Sequence, residues 1–85
     1  MTFSYYVDHS LPFPHVVDIW IKDPDADAAF PQTCRETFES MGRQFMMTHE
    51  YVWDESLSSG KNIVTKYILY LESEDMAMWL RLTYG

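Results

Sequence analysis

Hydrophobic and polar residues alternate in four segments of the chain, and this period of two predicts β-strands. The strands are expected at residues 2–7, 15–21, 43–54 and 62–72. The second is rich in β-branched residues and places Val17, Ile19 and Ile21 on one face. A Ser- and Gly-containing loop at residues 55–61 separates the last two segments, which is typical of an antiparallel hairpin.

Between the second and third strands the apolar spacing becomes helical. Asp23 and Pro24 are suited to the N-cap and the first position of a helix. Gly42 is suited to the left-handed backbone conformation that ends a helix. The apolar positions expected to face the core are Phe30, Cys34, Phe38 and Met41. Pro31 leaves two alternatives: a kinked helix, or one turn at 24–29 followed by a main helix at 31–41.

A second helix is expected from Glu74 to about Leu82, with Ser73 as its N-cap. The resulting order β-α-β-β-α predicts a single α+β domain over residues 1–85, with a ferredoxin-like sandwich of an antiparallel sheet and two helices on one face. We expect the N-terminal strand to take the edge that the usual last strand occupies. The core residues expected to lie together are Val17, Ile19, Ile21, Phe38 and Leu80.

Composition narrows the functional classes. The chain is 47% hydrophobic and 16% aromatic, which favours folding, and its net charge of −7 disfavours direct binding to nucleic acid or anionic membranes. One cysteine, Cys34, excludes an internal disulfide and suits a reducing cytoplasm. The first residues lack the pattern of a signal peptide, and no apolar run reaches the roughly 18 residues of a membrane span. We therefore expect a cytoplasmic protein.

Six carboxylates follow two strand ends and precede or begin the two helices, where the helix dipole favours negative charge. These residues are Asp23, Asp25, Asp27, Glu72, Glu74 and Asp75. In the predicted fold both junctions lie at the same end of two adjacent parallel strands, so the carboxylates are expected to form one acidic rim. Such a rim would suit a basic protein partner or imitate a phosphate backbone, although a solvated face without a partner explains the same residues.

The residue types needed for catalysis or metal binding are not grouped in the sequence. The spacing of carboxylates after Asp23 resembles the start of a calcium loop, but Ala28 and Cys34 stand where glycine and glutamate are required. No two of the three histidines have the spacing of a helical metal site. Cys34 falls on an apolar helix stripe. We expect no enzymatic activity, no metal and no cofactor.

Both faces of the predicted hairpin carry large apolar side chains, and a sheet with helices on one side buries only one set. The other set, with Trp20 from the preceding strand, predicts an exposed aromatic patch of the kind found at protein interfaces. The residues expected to contact a partner there are Trp20, Tyr70, Ile68 and Met46. Self-association into a homodimer through Trp20 and Tyr70 is a further expectation.

The last sixteen residues, from Tyr70 to Gly85, contain an apolar strand end, an acidic turn, a short helix and an aromatic-glycine terminus. This stretch resembles the C-terminal ends of small uncharacterised proteins encoded by tailed bacteriophages. The resemblance implies a short acidic protein that binds a host protein.

Together these observations predict a non-enzymatic protein-binding module that acts as a phage-encoded inhibitor or adaptor. Its partner would be a host protein, basic or itself nucleic-acid-binding, reached through the aromatic sheet face and the acidic rim. Two alternatives remain: a small self-associating structural or assembly protein, and an acidic mimic of nucleic acid.

Overall fold

The computed structural model describes residues 3–53 and 63–85 as four strands and two helices. The elements are β1 Phe3–Val7, β2 His15–Ile21, α1 Pro24–Ser40, β3 Phe45–Trp53, β4 Ile63–Leu71 and α2 Glu74–Tyr84. The predicted α+β class is confirmed. β3 begins and ends inside its predicted bounds, and α2 extends past Leu82. The loop predicted at 55–61 and the strand residues at positions 2 and 62 lie outside the described residues.

The strands form one sheet in the order β1-β2-β4-β3, and every neighbouring pair is antiparallel. β1 lies at one edge beside β2, the edge position expected for the N-terminal strand. β3 forms the other edge and pairs with β4 at all nine of its positions. The connection from β2 through α1 to β3 therefore passes over β4, and this places α1 on one face of the sheet.

Pro31 lies within α1 without ending it, so the alternative of two separate helices is wrong. Proline cannot donate the hydrogen bond that the carbonyl four residues earlier would accept. That carbonyl belongs to Asp27, and the Tyr67 hydroxyl of β4 lies 3.2 Å from it. A side chain of the sheet thus satisfies the acceptor that Pro31 leaves open, which allows the helix to continue.

The helix ends follow local sequence. The Asp23 carboxylate accepts a hydrogen bond from the Ala26 N–H at 3.4 Å, as its predicted N-cap role requires. Gly42 follows the end of α1 with φ of +68°, a conformation that side chains with a Cβ rarely adopt. Ser73 precedes α2 but makes no side-chain cap to the helix backbone, since its hydroxyl contacts the Asp75 carboxylate instead.

The core lies between the helices and one face of the sheet, and all five residues predicted to share it are buried there. Phe30 and Phe38 of α1 are fully buried, and Phe38 packs edge-on against Phe45 and Trp79. Cys34 lies in the same cluster, as its place on the apolar stripe predicted. Burial raises the pKa of its thiol to about 12, so the group stays protonated and weakly nucleophilic.

Candidate protein-binding surface

The predicted single acidic rim is wrong because β2 and β4 are antiparallel neighbours. The register pairs Ile21 with Thr65 and His15 with Leu71, so the C-terminal ends of the two strands lie at opposite ends of the sheet. Asp23, Asp25 and Asp27 therefore lie at one end. The other predicted carboxylates, Glu72, Glu74 and Asp75, lie at the other end, and the premise of phosphate-backbone mimicry is lost with the rim.

At the first end, Asp27 ties α1 to the sheet. Its carboxylate accepts a hydrogen bond from the Thr65 hydroxyl at 2.7 Å and a second one from the Tyr67 hydroxyl. Burial and this bond to Asp27 raise the pKa of Tyr67. Asp23 and Asp25 remain exposed beside this junction. Asp27 thus has a structural role, and two of the three carboxylates are available at the surface.

At the second end, the carboxylates are engaged within the chain. Arg43 lies 3.9 Å from Glu72 and 3.6 Å from Asp75, and Glu72 also accepts the Gln44 backbone N–H at 2.9 Å. The bond from Ser73 and the nearby Arg43 lower the pKa of Asp75. Glu74 is exposed. These contacts hold the start of β3 against the start of α2, so most of this acidic group has a local explanation.

The sheet face turned away from the helices is less exposed than its sequence suggested. Trp20, Lys66 and Glu50 lie side by side across β2, β4 and β3. The Lys66 Nζ lies 5.1 Å from the centre of the Trp20 ring and 3.4 Å from the Glu50 carboxylate. Trp20 is half-buried within this row, as is Ile68 in the next row.

The connector between β1 and β2 covers one end of the same face. It is closed by a 2.8 Å hydrogen bond from the Asp8 N–H to the Pro14 carbonyl. Its apolar residues Leu11, Pro12 and Phe13 line a groove of about 330 Å³ together with Met46 and Tyr70. Tyr70 is half-buried, whereas Met46 remains 55% exposed. Of the four predicted aromatic-face residues, Met46 is the one that the structure leaves widely exposed.

The largest exposed aromatic side chains lie on the other face, where the helices do not reach. Tyr51 and Trp53 of β3 are 72% and 69% exposed, and Ile63, opposite Trp53 on β4, is 54% exposed. We call these three residues the aromatic ridge. It adjoins the start of α1, because Tyr51 pairs with Thr65, whose hydroxyl donates to Asp27. The sequence predicted that one face of the hairpin is buried and the other exposed. This prediction is therefore wrong.

A groove of about 560 Å³ occupies the opposite end of β3 on the side of α1. Phe45 and Met47 of β3 form its apolar part. Arg35 and Glu39 of α1 and Arg43 after it supply the charges, with Gln44 and Phe13 completing the lining. We call this the β3 groove. In this groove Arg35 and Arg43, two of the six Lys and Arg residues of an acidic chain, lie beside apolar side chains.

A third groove of about 690 Å³ lies between β1 and α2. Met78 and Leu82 line it, and Leu82 is 84% exposed. Within residues 3–53 and 63–85, no three His, Cys, Asp or Glu side chains come together in a group that could hold a metal ion. No helix in this part of the chain is long and apolar enough to cross a membrane.

Sequence reasoning did not single out the aromatic ridge, although element length carried a signal for it. β3 and β4 have nine residues each, or roughly 30 Å of strand. The 17-residue α1 is about 25 Å long and the 11-residue α2 about 16 Å. Strands that extend beyond the covering helices leave part of a face without cover. Comparison of the chain with protein-family models, with curated proteins and with solved structures gives no match.

Proposed function

We propose that the protein is a non-enzymatic binding module whose contact with another protein is made along β3. The observation that carries this proposal is the exposure of Tyr51 and Trp53 at 72% and 69% on a face that elsewhere forms the core. Tyr and Trp dominate the energetics of protein interfaces, and contiguous exposed apolar side chains mark such surfaces. This moves the proposed contact from the open sheet face to the aromatic ridge and the β3 groove.

The charge around the ridge supports a partner with basic side chains. Asp23 and Asp25 are exposed at the start of α1, close to the ridge, and the chain carries net charge −7. A lysine or arginine of a partner could contact both a carboxylate and an aromatic ring there. The resemblance of residues 70–85 to phage proteins further supports an inhibitor or adaptor that acts on a host protein in the cytoplasm.

We also assign the sheet to a ferredoxin-like arrangement with β1 in place of the last strand.

The test compares two exposed side chains on opposite faces of β3. Immobilised protein captures its partner from a host lysate, and mass spectrometry quantifies what is retained. Trp53→Ala is expected to reduce capture at least about tenfold, because a desolvated aromatic anchor contributes about 2 kcal/mol or more. Met46→Ala, at a residue 55% exposed on the other face, is the matched control and is expected to keep the partner.

A reversed outcome, with Met46→Ala losing the partner and Trp53→Ala retaining it, would return the contact to the open sheet face.

The salt dependence of the association rate adds a second readout. If Asp23 and Asp25 steer the partner, association slows as ionic strength rises while dissociation changes little. The double variant Asp23→Asn, Asp25→Asn removes both charges and should lose this salt dependence.

A further inference from the structure

We propose that a second copy of this chain binds along β3, so that two β3 strands pair antiparallel and join two sheets into one of eight strands. This inference rests on the proposed function, since it uses the same surface, and a host protein that binds there would compete with the second copy. It is carried by three independent features of β3: an unprotected edge, a self-complementary order of residues, and opposite shapes and charges at its two ends.

The edge of β3 lacks the features that keep exposed strands from pairing. Proteins protect such edges with lysine, proline, bulges or short strands. β3 is nine residues long, contains no lysine or proline, and pairs with β4 without interruption. Its one carboxylate, Glu50, already lies 3.4 Å from Lys66. β1 at the opposite edge has only five residues.

The order of residues in β3 is self-complementary about its centre. In the antiparallel pairing that matches all nine residues, His49 lies opposite the partner's His49. Phe45 then faces the partner's Trp53, and Met47 faces the partner's Tyr51. On the other face, Met46 meets the partner's Val52. No carboxylate lies opposite another, because Glu50 faces the partner's Thr48.

The shapes at the two ends of β3 also match. The aromatic ridge lies at the C-terminal end and the β3 groove at the N-terminal end, so antiparallel pairing brings each ridge to the partner's groove. The partner's Trp53 would lie against Phe45, with Arg35 and Arg43 nearby to contact its ring. Two copies of a 560 Å³ groove would then be closed in one dimer.

Charge is complementary in the same orientation. α1 begins near Thr65 and ends near Phe45, so its acidic start and the arginines of the groove lie at opposite ends of β3. Two-fold pairing brings Asp23 and Asp25 of one copy toward Arg35 of the other, while Glu39 lies in the same groove and Arg43 is already paired with Glu72 and Asp75. The contact with Arg35 reduces the repulsion expected between two chains of net charge −7.

The aromatic ridge contributes part of the area that a dimer needs. Aromatic side chains bury about 150–250 Å² each, so Tyr51 and Trp53 at about 70% exposure would contribute roughly 400–700 Å² in a two-fold pair. A specific interface needs about 1,200–2,000 Å² in total. The other seven residues of β3 and the lining of the groove would have to supply the remainder.

The first measurement is sedimentation equilibrium of the full chain from about 1 to 100 µM. The wild-type protein is expected to reach twice the chain mass of 10.1 kDa. Tyr51→Lys places a charge on the pairing strand and should weaken dimerisation about tenfold or more. Leu82→Lys, at a residue 84% exposed in the groove between β1 and α2, should leave dimerisation unchanged.

The second measurement tests the register by disulfide formation. His49→Cys places two thiols opposite each other across the two-fold axis, within the Cα separation of about 4.4–6.8 Å that a disulfide requires. Met46→Cys places them roughly 20 Å apart along the strand. His49→Cys should therefore cross-link about tenfold faster than Met46→Cys. Cys34 is buried and does not compete.

A monomer at all concentrations would overturn the inference, as would a dimer in which the two cysteine variants cross-link at equal rates. The first outcome leaves the proposed function standing if Trp53→Ala still loses a captured partner. If Trp53→Ala changes neither capture nor dimerisation, both the proposed function and this inference are wrong.

Discussion

Ile19 and Ile63 are the same residue type on the same face of one sheet, yet their surroundings are opposite. Ile19 is 1% exposed and lies in the core under the helices, whereas Ile63 is 54% exposed at the end of the hairpin. The covered part of the face is a core because helices bury it. The uncovered part has the same alternating sequence and no cover within the described chain. Apolar alternation alone therefore identifies a face to be buried, but not what buries it.

We expect the largest difference in the free energy of unfolding between substitutions of these two isoleucines. Ile19→Ala leaves a cavity in a packed core and should lower the free energy of unfolding by about 2–5 kcal/mol. Ile63→Ala should change it by no more than about 0.5 kcal/mol, because the side chain is mostly exposed. Urea denaturation at low protein concentration measures both. Equal losses would show that the end of the hairpin is part of the stabilising core.

The next effect concerns the junction between the covered and uncovered parts. Asp27→Ala removes the acceptor of the Thr65 and Tyr67 hydroxyls and should cost about 1–3 kcal/mol of unfolding free energy. Asp25→Ala is the control in the same helix turn, where the loss should stay within the helix-dipole contribution of about 0.3–1 kcal/mol. A loss at Asp25 as large as at Asp27 would show that charge, rather than the hydrogen bonds, holds α1 in place.

The same junction has a smaller, spectroscopic signature. Because burial and the bond to Asp27 raise the pKa of Tyr67, its proton is held more tightly in the folded chain than in the unfolded one. The stability from this group is complete below the ordinary tyrosine pKa of about 10 and is lost as pH rises beyond it. Titration of tyrosine absorbance should lose one late-ionising group in Tyr67→Phe, while Tyr5 and Tyr84, whose pKa values burial also raises, are retained. An unchanged titration curve in that variant would contradict the assignment.

Much of the fold could be predicted because its causes are local. Alternation over residues 15–21 identified β2 and its buried face, and Asp23-Pro24 marked the start of α1. The fate of Pro31 could not be predicted, since the group that satisfies the Asp27 carbonyl is Tyr67, forty residues away along the chain. The acidic rim was wrong for a different reason. A helical crossover makes β2 and β3 parallel, and a hairpin makes β3 and β4 antiparallel, so the predicted element order already makes β2 and β4 antiparallel.

The kind of site stays a prediction, and its proposed position has moved. An excess of aromatic residues indicated a protein interface, and that interpretation remains a proposal. Trp20 and Tyr70 were expected to form it, but Lys66 lies over the Trp20 ring and the connector residues Leu11 to Phe13 cover part of Tyr70. Such long-range covering is invisible to periodicity. Tyr51 and Trp53 occupy the same alternate positions of β3 as the core residues do. Their exposure is therefore visible only once it is known how far the helices extend over the sheet.

We propose that β3, and not β1, is the edge at which this chain meets another. Hydrogen–deuterium exchange of backbone amides at low and high protein concentration tests it most directly, because pairing of an edge strand protects amides that otherwise face water. We expect protection within Phe45–Trp53 to rise with concentration while protection within Phe3–Val7 stays constant. Constant exchange in β3, or an equal gain in β1, would contradict it.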